Sequence, residues 1–267
     1  MSLGEVVRLK DKLKPIPEFI GPLNFYERSG LYLPKEDSLL QKRLDELKLF
    51  VDASQMKINS SKSQLMVFGF SRKFVFEPHL FLDDQELELV SDTKLLGIHM
   101  TSDCRWTKNT DNIVSKANQK LWFLQRLKKV GASVETLVEM YNLFVWPSLE
   151  YAAPLWTSSL SKTDIYRIEK IQRRATDLII GRNNLSYSDR LTELQMISLE
   201  QRRWSLTSKF AVKLSQDPEF KSLLPLKPFT GTRSKSKYIE IKANTKRFQV
   251  SPLLTYAKIL NQIEVQK

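Results

Sequence analysis

The spacing of apolar residues changes once along this chain, near residue 107, and that change limits the fold more than any other feature. Beyond it, apolar side chains recur every three to four residues, which places them on one face of an α-helix. Before it, apart from one helical stretch, they come in short runs bounded by turn residues, the pattern of strands. An α+β fold follows. A leading helix and a small antiparallel sheet are expected over residues 38–106, then a bundle of about five helices over 107–220.

The helical part carries its own punctuation. One helix is expected over about 109–129, with Ile113, Ala117, Leu121, Leu124 and Leu127 on one face and Gly131 ending it. Ser133 suits the N-cap of a second, which carries Val134, Leu137, Val138 and Tyr141 on to Trp146. Pro147 opens a short one through Tyr151. The next lies between Ser161 and Gly181. Its Ile165, Ile168, Ile171, Ala175, Leu178 and Ile179 form one arc, and Arg167, Lys170, Arg173 and Arg174 lie opposite. Ser198 starts the last long helix, with Gln201 three residues on to complete a capping box. Arg202, Lys209 and Lys213 share one flank of it.

The earlier part is looser. Pro15, Pro17, Pro22 and Pro34, with Gly21 and Gly30, interrupt any element in residues 1–37. Ser38 then suits the cap of a helix bearing Leu39, Leu40, Leu44, Leu47, Phe50 and Val51. Gln64–Phe70, Leu80–Leu82, Leu87–Val90 and Leu95–Met100 read as strands, with a turn at Asp83–Gln85. Gly97 marks a bulge or a close approach of another backbone. These strands lie too near one another for helical crossovers. An antiparallel meander is expected and a parallel sheet is not.

Charge narrows the partner. The 267 residues carry 42 Lys+Arg against 30 Asp+Glu, a net +12. Residues 221–267 form a basic tail, expected to be weakly structured. There Lys221, Lys227, Arg233, Lys235, Lys237, Lys242, Lys246, Arg247, Lys258 and Lys267 face Glu240 and Glu264, ten against two, or +8. Such a balance points to an anionic partner, nucleic acid ahead of an acidic membrane surface. No apolar run approaches the roughly 18 residues of a membrane span, so nothing is expected to cross a membrane, and nucleic acid rather than a membrane is the expected partner. The first residues show no apolar core of secretory type, which favours an intracellular setting, nuclear or cytoplasmic. Cys104 is the one cysteine, which excludes a disulfide framework or a cysteine zinc cluster within one chain.

Individual motifs are weak. Phe81-Leu82-Asp83-Asp84 places two carboxylates side by side, as polymerases do to hold divalent cations. Aspartate is also frequent in turns, and the flanking strands suit a turn better. Asn59 favours a turn that leaves Lys62 on a loop beside the sheet edge. On residues alone, the aromatics of Leu149-Glu150-Tyr151-Ala152-Ala153-Pro154-Leu155-Trp156 read as core.

Their order is more specific. Asn59-x-x-Lys62 comes first, then Lys94-Leu95-Leu96-Gly97 near Trp106, then the stretch from Leu149 to Trp156. Ile171-Gln172-Arg173-Arg174-Ala175 follows, and then Leu199 with Arg202-Arg203. This succession resembles the downstream part of a non-LTR (LINE-type) retrotransposon reverse transcriptase. The likeness covers roughly residues 38–215, and Lys246-Arg247-Phe248 with Ser251 is similar to the end of such reading frames.

The resemblance implies a partial palm over 38–106 and a thumb-like domain over 107–220. It places Asn59 and Lys62 near the incoming nucleotide, and Leu95, Leu96 and Gly97 in a primer-grip hairpin. It makes Arg167, Lys170, Arg173, Arg174, Arg202, Lys209, Lys213, Lys246 and Arg247 candidates for nucleic-acid contact. The implied partner is an RNA–DNA hybrid or duplex, bound without sequence preference, with the missing N-terminal part of the polymerase as a second. The family's Tyr-x-Asp-Asp hairpin and first catalytic aspartate have no match before Lys57, and Asp83-Asp84 lies downstream of where they belong. No catalytic residue, metal site or cofactor is therefore expected in this chain, Mg²⁺ belonging to the intact polymerase alone. The alternatives are a non-enzymatic helical interaction protein and, last, a helix-turn-helix protein, for which no recognition helix stands out.

Overall fold

The computed structural model describes residues 35–68, 78–181, 184–220, 223–227, 237–243 and 245–266. Residues 1–34 of the lead segment expected over 1–37 lie outside them. Helix α1, Lys35–Ala53, starts three residues before Ser38, directly after Pro34 in the sequence, a residue suited to helix starts. The small strands follow as β1 (Gln64–Leu65), β2 (Phe81–Leu82), β3 (Gln85–Glu86), β4 (Glu88–Leu89), β5 (Asp92–Leu95) and β6 (Ile98–Thr101).

These strands do not make the expected meander. They form separate two-stranded pairs: β2 with β3, β5 with β6, and β1 with β4. The last pair is parallel, Gln64 facing Glu88 and Leu65 facing Leu89, which corrects the expectation that no parallel pairing occurs. The crossover argument applies to neighbours in sequence, and β1 and β4 are separated by more than twenty residues. Among its described residues the expected Gln64–Phe70 strand pairs only at Gln64 and Leu65, and Gly69 and Phe70 lie outside the described residues.

Leu95–Met100 is not one bulged strand but a hairpin turning at Leu96 and Gly97, with φ of 47° and 87°. Asp83 and Asp84 make the second such turn, with φ of 53° and 59°. Two left-handed residues in succession match the twist of the flanking strands, and aspartate and glycine tolerate that backbone.

The rest is helical: α2 (Thr107–Lys129), α3 (Val134–Met140), α4 (Trp146–Glu150), α5 (Ala153–Trp156), α6 (Lys162–Ile180), α7 (Tyr187–Glu193), α8 (Leu199–Gln216), α9 (Lys246–Gln249) and α10 (Pro252–Gln266). The expected caps are in place. Ser133, Ser161 and Ser198 accept from the backbone N–H of Thr136, Asp164 and Gln201, and Gln201 closes the capping box. The single helix expected from Ser133 to Trp146 is interrupted by a π-helical stretch over Tyr141–Val145. Pro147 offers no N–H to the carbonyl four residues back, and the ladder widens just ahead of it.

Helices α2 and α6 run parallel. Arg167 on α6 bonds Asp111 on α2, and Arg174, seven residues on, bonds Asn118, also seven residues on. The main core lies beneath, where Ala117 and Leu124 of α2 join Leu149, Trp156, Ile168 and Ala175. A second, smaller core gathers Ala211, Leu224, Tyr238, Tyr256, Ala257 and Leu260.

Among its described residues the tail thus holds more regular structure than its charge suggests. The apolar residues of α10 recur at helical spacing and dock on α8. Among the described residues no helix is long and apolar enough to cross a membrane.

Candidate nucleic-acid interface

Asn59 and Lys62 share one 3₁₀ turn. The Lys62 N–H donates to the Asn59 carbonyl at 3.1 Å, and the Ser61 hydroxyl donates to Asn59 Oδ1 at 2.6 Å. Asn59 therefore shapes the turn and leaves the Lys62 side chain in solvent.

The hairpin of Leu95, Leu96 and Gly97 meets the Leu149–Trp156 stretch directly. The Tyr151 hydroxyl donates to the Leu96 carbonyl at 2.8 Å. A Cβ on Gly97 would lie 3.6 Å from the Tyr151 ring. Tyr151 is itself held, because the Trp156 indole N–H donates to its carbonyl at 3.0 Å and Trp156 is fully buried. Two motifs 55 residues apart thus fix one turn. The Leu96 side chain is left 81% exposed at its tip.

The four basic residues of α6 fall into unlike surroundings. Arg167 is matched by Asp111 at 2.5 Å and Asp164 at 3.4 Å, and the bond to Asp111 raises its pKa. Arg174 bonds Asn118 Oδ1 at 2.6 Å, and both belong to the seam between α2 and α6. The Arg173 guanidinium stacks over the Tyr187 ring at 4.1 Å. Lys170 stands exposed between them.

On α8, Lys209 and Lys213 are exposed, but Arg202 turns inward. It pairs with Glu150 and lies 3.7 Å over the Trp146 ring. Burial lifts the Glu150 carboxyl above its ordinary pKa, and Arg202 opposes that shift. Arg203 is fully buried, and burial lowers its pKa against the nearby charges of Glu169, Glu200 and Glu150.

Glu169 is the hub of this interior. It accepts from the Tyr187 hydroxyl at 2.5 Å and from the backbone N–H groups of Leu199 and Glu200, each at 3.2 Å. A carboxylate there satisfies the free donors at the positive end of α8. Burial, then the Glu169 bond, pushes the Tyr187 phenol far above its ordinary pKa. Gln172, one turn on, donates to the Ile197 carbonyl at 2.8 Å, just ahead of α8.

In the tail, Lys246 is exposed and Arg247 lies near the turn after β6, where its charge helps to lower the Asp103 pKa. Burial raises the Cys104 thiol in the same turn, which disfavours a reactive thiolate.

Three further residues escape the charge pattern. Trp122 and Tyr166 are exposed, and the Arg126 guanidinium sits 4.7 Å from the Trp122 ring. Trp122 lies one helical turn beyond Asn118 on α2, and Tyr166 one turn before Lys170 on α6. The outer side of the α2–α6 pair therefore joins Arg126, Lys170, Arg173 and Arg174 with two open aromatic rings. Tryptophan and arginine four residues apart on a helix is the sequence signal that finds this feature.

No family model, no curated protein and no solved structure matches the chain.

Proposed function

We propose that this chain grips a nucleic-acid duplex, without sequence preference, as a catalytically incomplete end of a non-LTR reverse transcriptase. In this reading residues 38–106 are the end of a palm and the helices from Thr107 are the thumb. The observation that carries the binding role is the outer side of α2 and α6, where Lys170, Arg173, Arg174 and Arg126 stand beside Trp122 and Tyr166. Cations track phosphates, and exposed rings meet sugars or bases at a frayed end. Lys209, Lys213 and Lys246 are further exposed cations. The family reading is supported by the contact of Tyr151 with the Leu96–Gly97 turn, which brings two of the ordered motifs together.

The reading assigns no polymerase chemistry to this chain. Asp83 occupies a hairpin turn and pairs with Lys48, a structural use of the carboxylate. Primer extension with Mg²⁺ or Mn²⁺ is expected to give no product. Template-dependent extension lost in Asp83→Ala would overturn this. Binding is tested by mobility shift on an RNA–DNA hybrid. Replacing Lys170, Arg173 and Arg174 with Gln should weaken binding equally across sequences. Unchanged affinity would move the site elsewhere.

A second reading, a helical protein-interaction module, is favoured by one feature. Phe123 and Phe144 meet edge to face at 6.2 Å beside the π stretch, with Leu143 exposed next to them. That reading predicts no affinity for any nucleic acid.

A further inference from the structure

A cleft of about 530 Å³ opens between α8 and α10, closed on one side by the turn after α9. Trp204 and Ser208 of α8 form one wall, Lys258, Ile259 and Gln262 of α10 another, and Ser158 lies between. None of the described residues lining it is a carboxylate. The volume falls within the range of small-ligand sites, roughly 300–1,000 Å³.

We infer that this cleft takes one unstacked nucleotide of a single strand, its base against Trp204 and its phosphate at Lys258. The inference rests on the nucleic-acid reading above and extends it from duplex to single strand. Trp204 is 38% exposed, and it is a flat ring on a concave wall, the geometry that stacks a base of any sequence. Lys258 is exposed and no acid lines the cleft to neutralise it, so its charge is available to an anion. Gln262 supplies donor and acceptor groups for a base edge. Ser158 closes the cleft between the two helices. A lipid tail would leave Lys258 and Gln262 unanswered. An acidic peptide has no use for the single ring.

The test compares an RNA–DNA hybrid with blunt ends against the same hybrid carrying a single-stranded extension of six nucleotides, using the full chain. The extended hybrid should bind about tenfold tighter, the scale of one base stacked on an aromatic side chain. Trp204→Ala should abolish that gain and leave blunt-hybrid affinity unchanged, and Trp204→Phe should retain most of it. Lys258→Gln, at an exposed position that does not endanger the fold, should reduce the gain severalfold.

Equal affinity for both hybrids, or a gain indifferent to Trp204 and Lys258, would overturn the cleft while leaving duplex gripping intact. Binding of single strands alone, dependent on Trp204, would support the cleft and overturn duplex gripping. Binding of neither would overturn both.

Discussion

Helices α1 and α2 are both amphipathic and of similar length, 19 and 23 residues, yet they are held in opposite ways. Helix α2 buries Ile113, Ala117, Leu121 and Leu124 in the main core. Helix α1 has no buried residue among its described side chains, and Leu39, Leu40 and Leu49 remain 56%, 42% and 70% exposed. What fixes α1 is polar. The Gln41 side chain pairs with both the N–H and the carbonyl of Phe81, each at 2.9 Å, and Lys48 pairs with Asp83. Burial stabilises in proportion to apolar area, whereas exposed polar contacts contribute little beyond position. An amphipathic pattern thus shows that a helix has a face to cover, but not what covers it.

The contrast sets the order of expected effects. Within the bundle, Trp156→Ala should cost about 3–5 kcal/mol in chemical denaturation, the scale for a large buried aromatic. Glu169→Ala should cost about 3–5 kcal/mol, because it leaves the Tyr187 hydroxyl and the Leu199 and Glu200 N–H groups without their acceptor and removes one of the negative charges near the buried Arg203. Arg203→Met in that background should recover part of the loss, since it removes that buried charge. No recovery in the double variant would show that Glu169 acts through Tyr187 and α8 alone.

Tyr151→Phe should cost about 1 kcal/mol and speed amide exchange in the β5–β6 hairpin, as one hydrogen bond is lost. On the other side of the comparison, Leu49→Ala should change stability by less than about 0.5 kcal/mol. In native-state hydrogen exchange α1 should open well before α2, and equal protection would show that α1 is covered after all.

The smallest effect is electrostatic. Burial pushes the Asp103 carboxyl up, but the Thr101 hydroxyl, the Arg105 N–H and the charges of Arg105 and Arg247 bring it below its ordinary value. A depressed carboxylate contributes stability above its unfolded pKa, about 3.9, and loses it as pH falls through the folded value. Asp103→Asn should therefore lower the melting temperature slightly at pH 6 and flatten its fall below about pH 4. A parallel fall in both proteins would remove the role given to Asp103.

Local signals carried the bundle. Serine caps at 133, 161 and 198 and glycine stops at 131 and 181 were legible because capping depends on a few adjacent residues. The β1–β4 pairing was not, because partner choice between strands of two residues is decided by the surrounding fold. The charge of residues 221–267 masks helix α10, although Leu253, Leu254, Tyr256, Ala257 and Leu260 sit at helical spacing.

The candidate site was legible in part. Helical spacing placed Lys170, Lys209 and Lys213 outward. It could not reveal that Arg167 meets Asp111 or that Arg202 meets Glu150, since both partners lie on other helices. A basic arc counts charges, and only tertiary structure decides which of them are matched.

The central claim is that this surface grips duplex through phosphates. Its most direct test is the affinity of the purified chain for an RNA–DNA hybrid, measured by fluorescence anisotropy as salt rises from about 50 to 200 mM. Contact with about four phosphates predicts a linear fall of log affinity with log salt, with a slope near −3.6, flattening by about 0.9 for each phosphate contact removed by substitution. No binding at about 50 mM salt, where phosphate contacts are strongest, or a slope near zero, would contradict it.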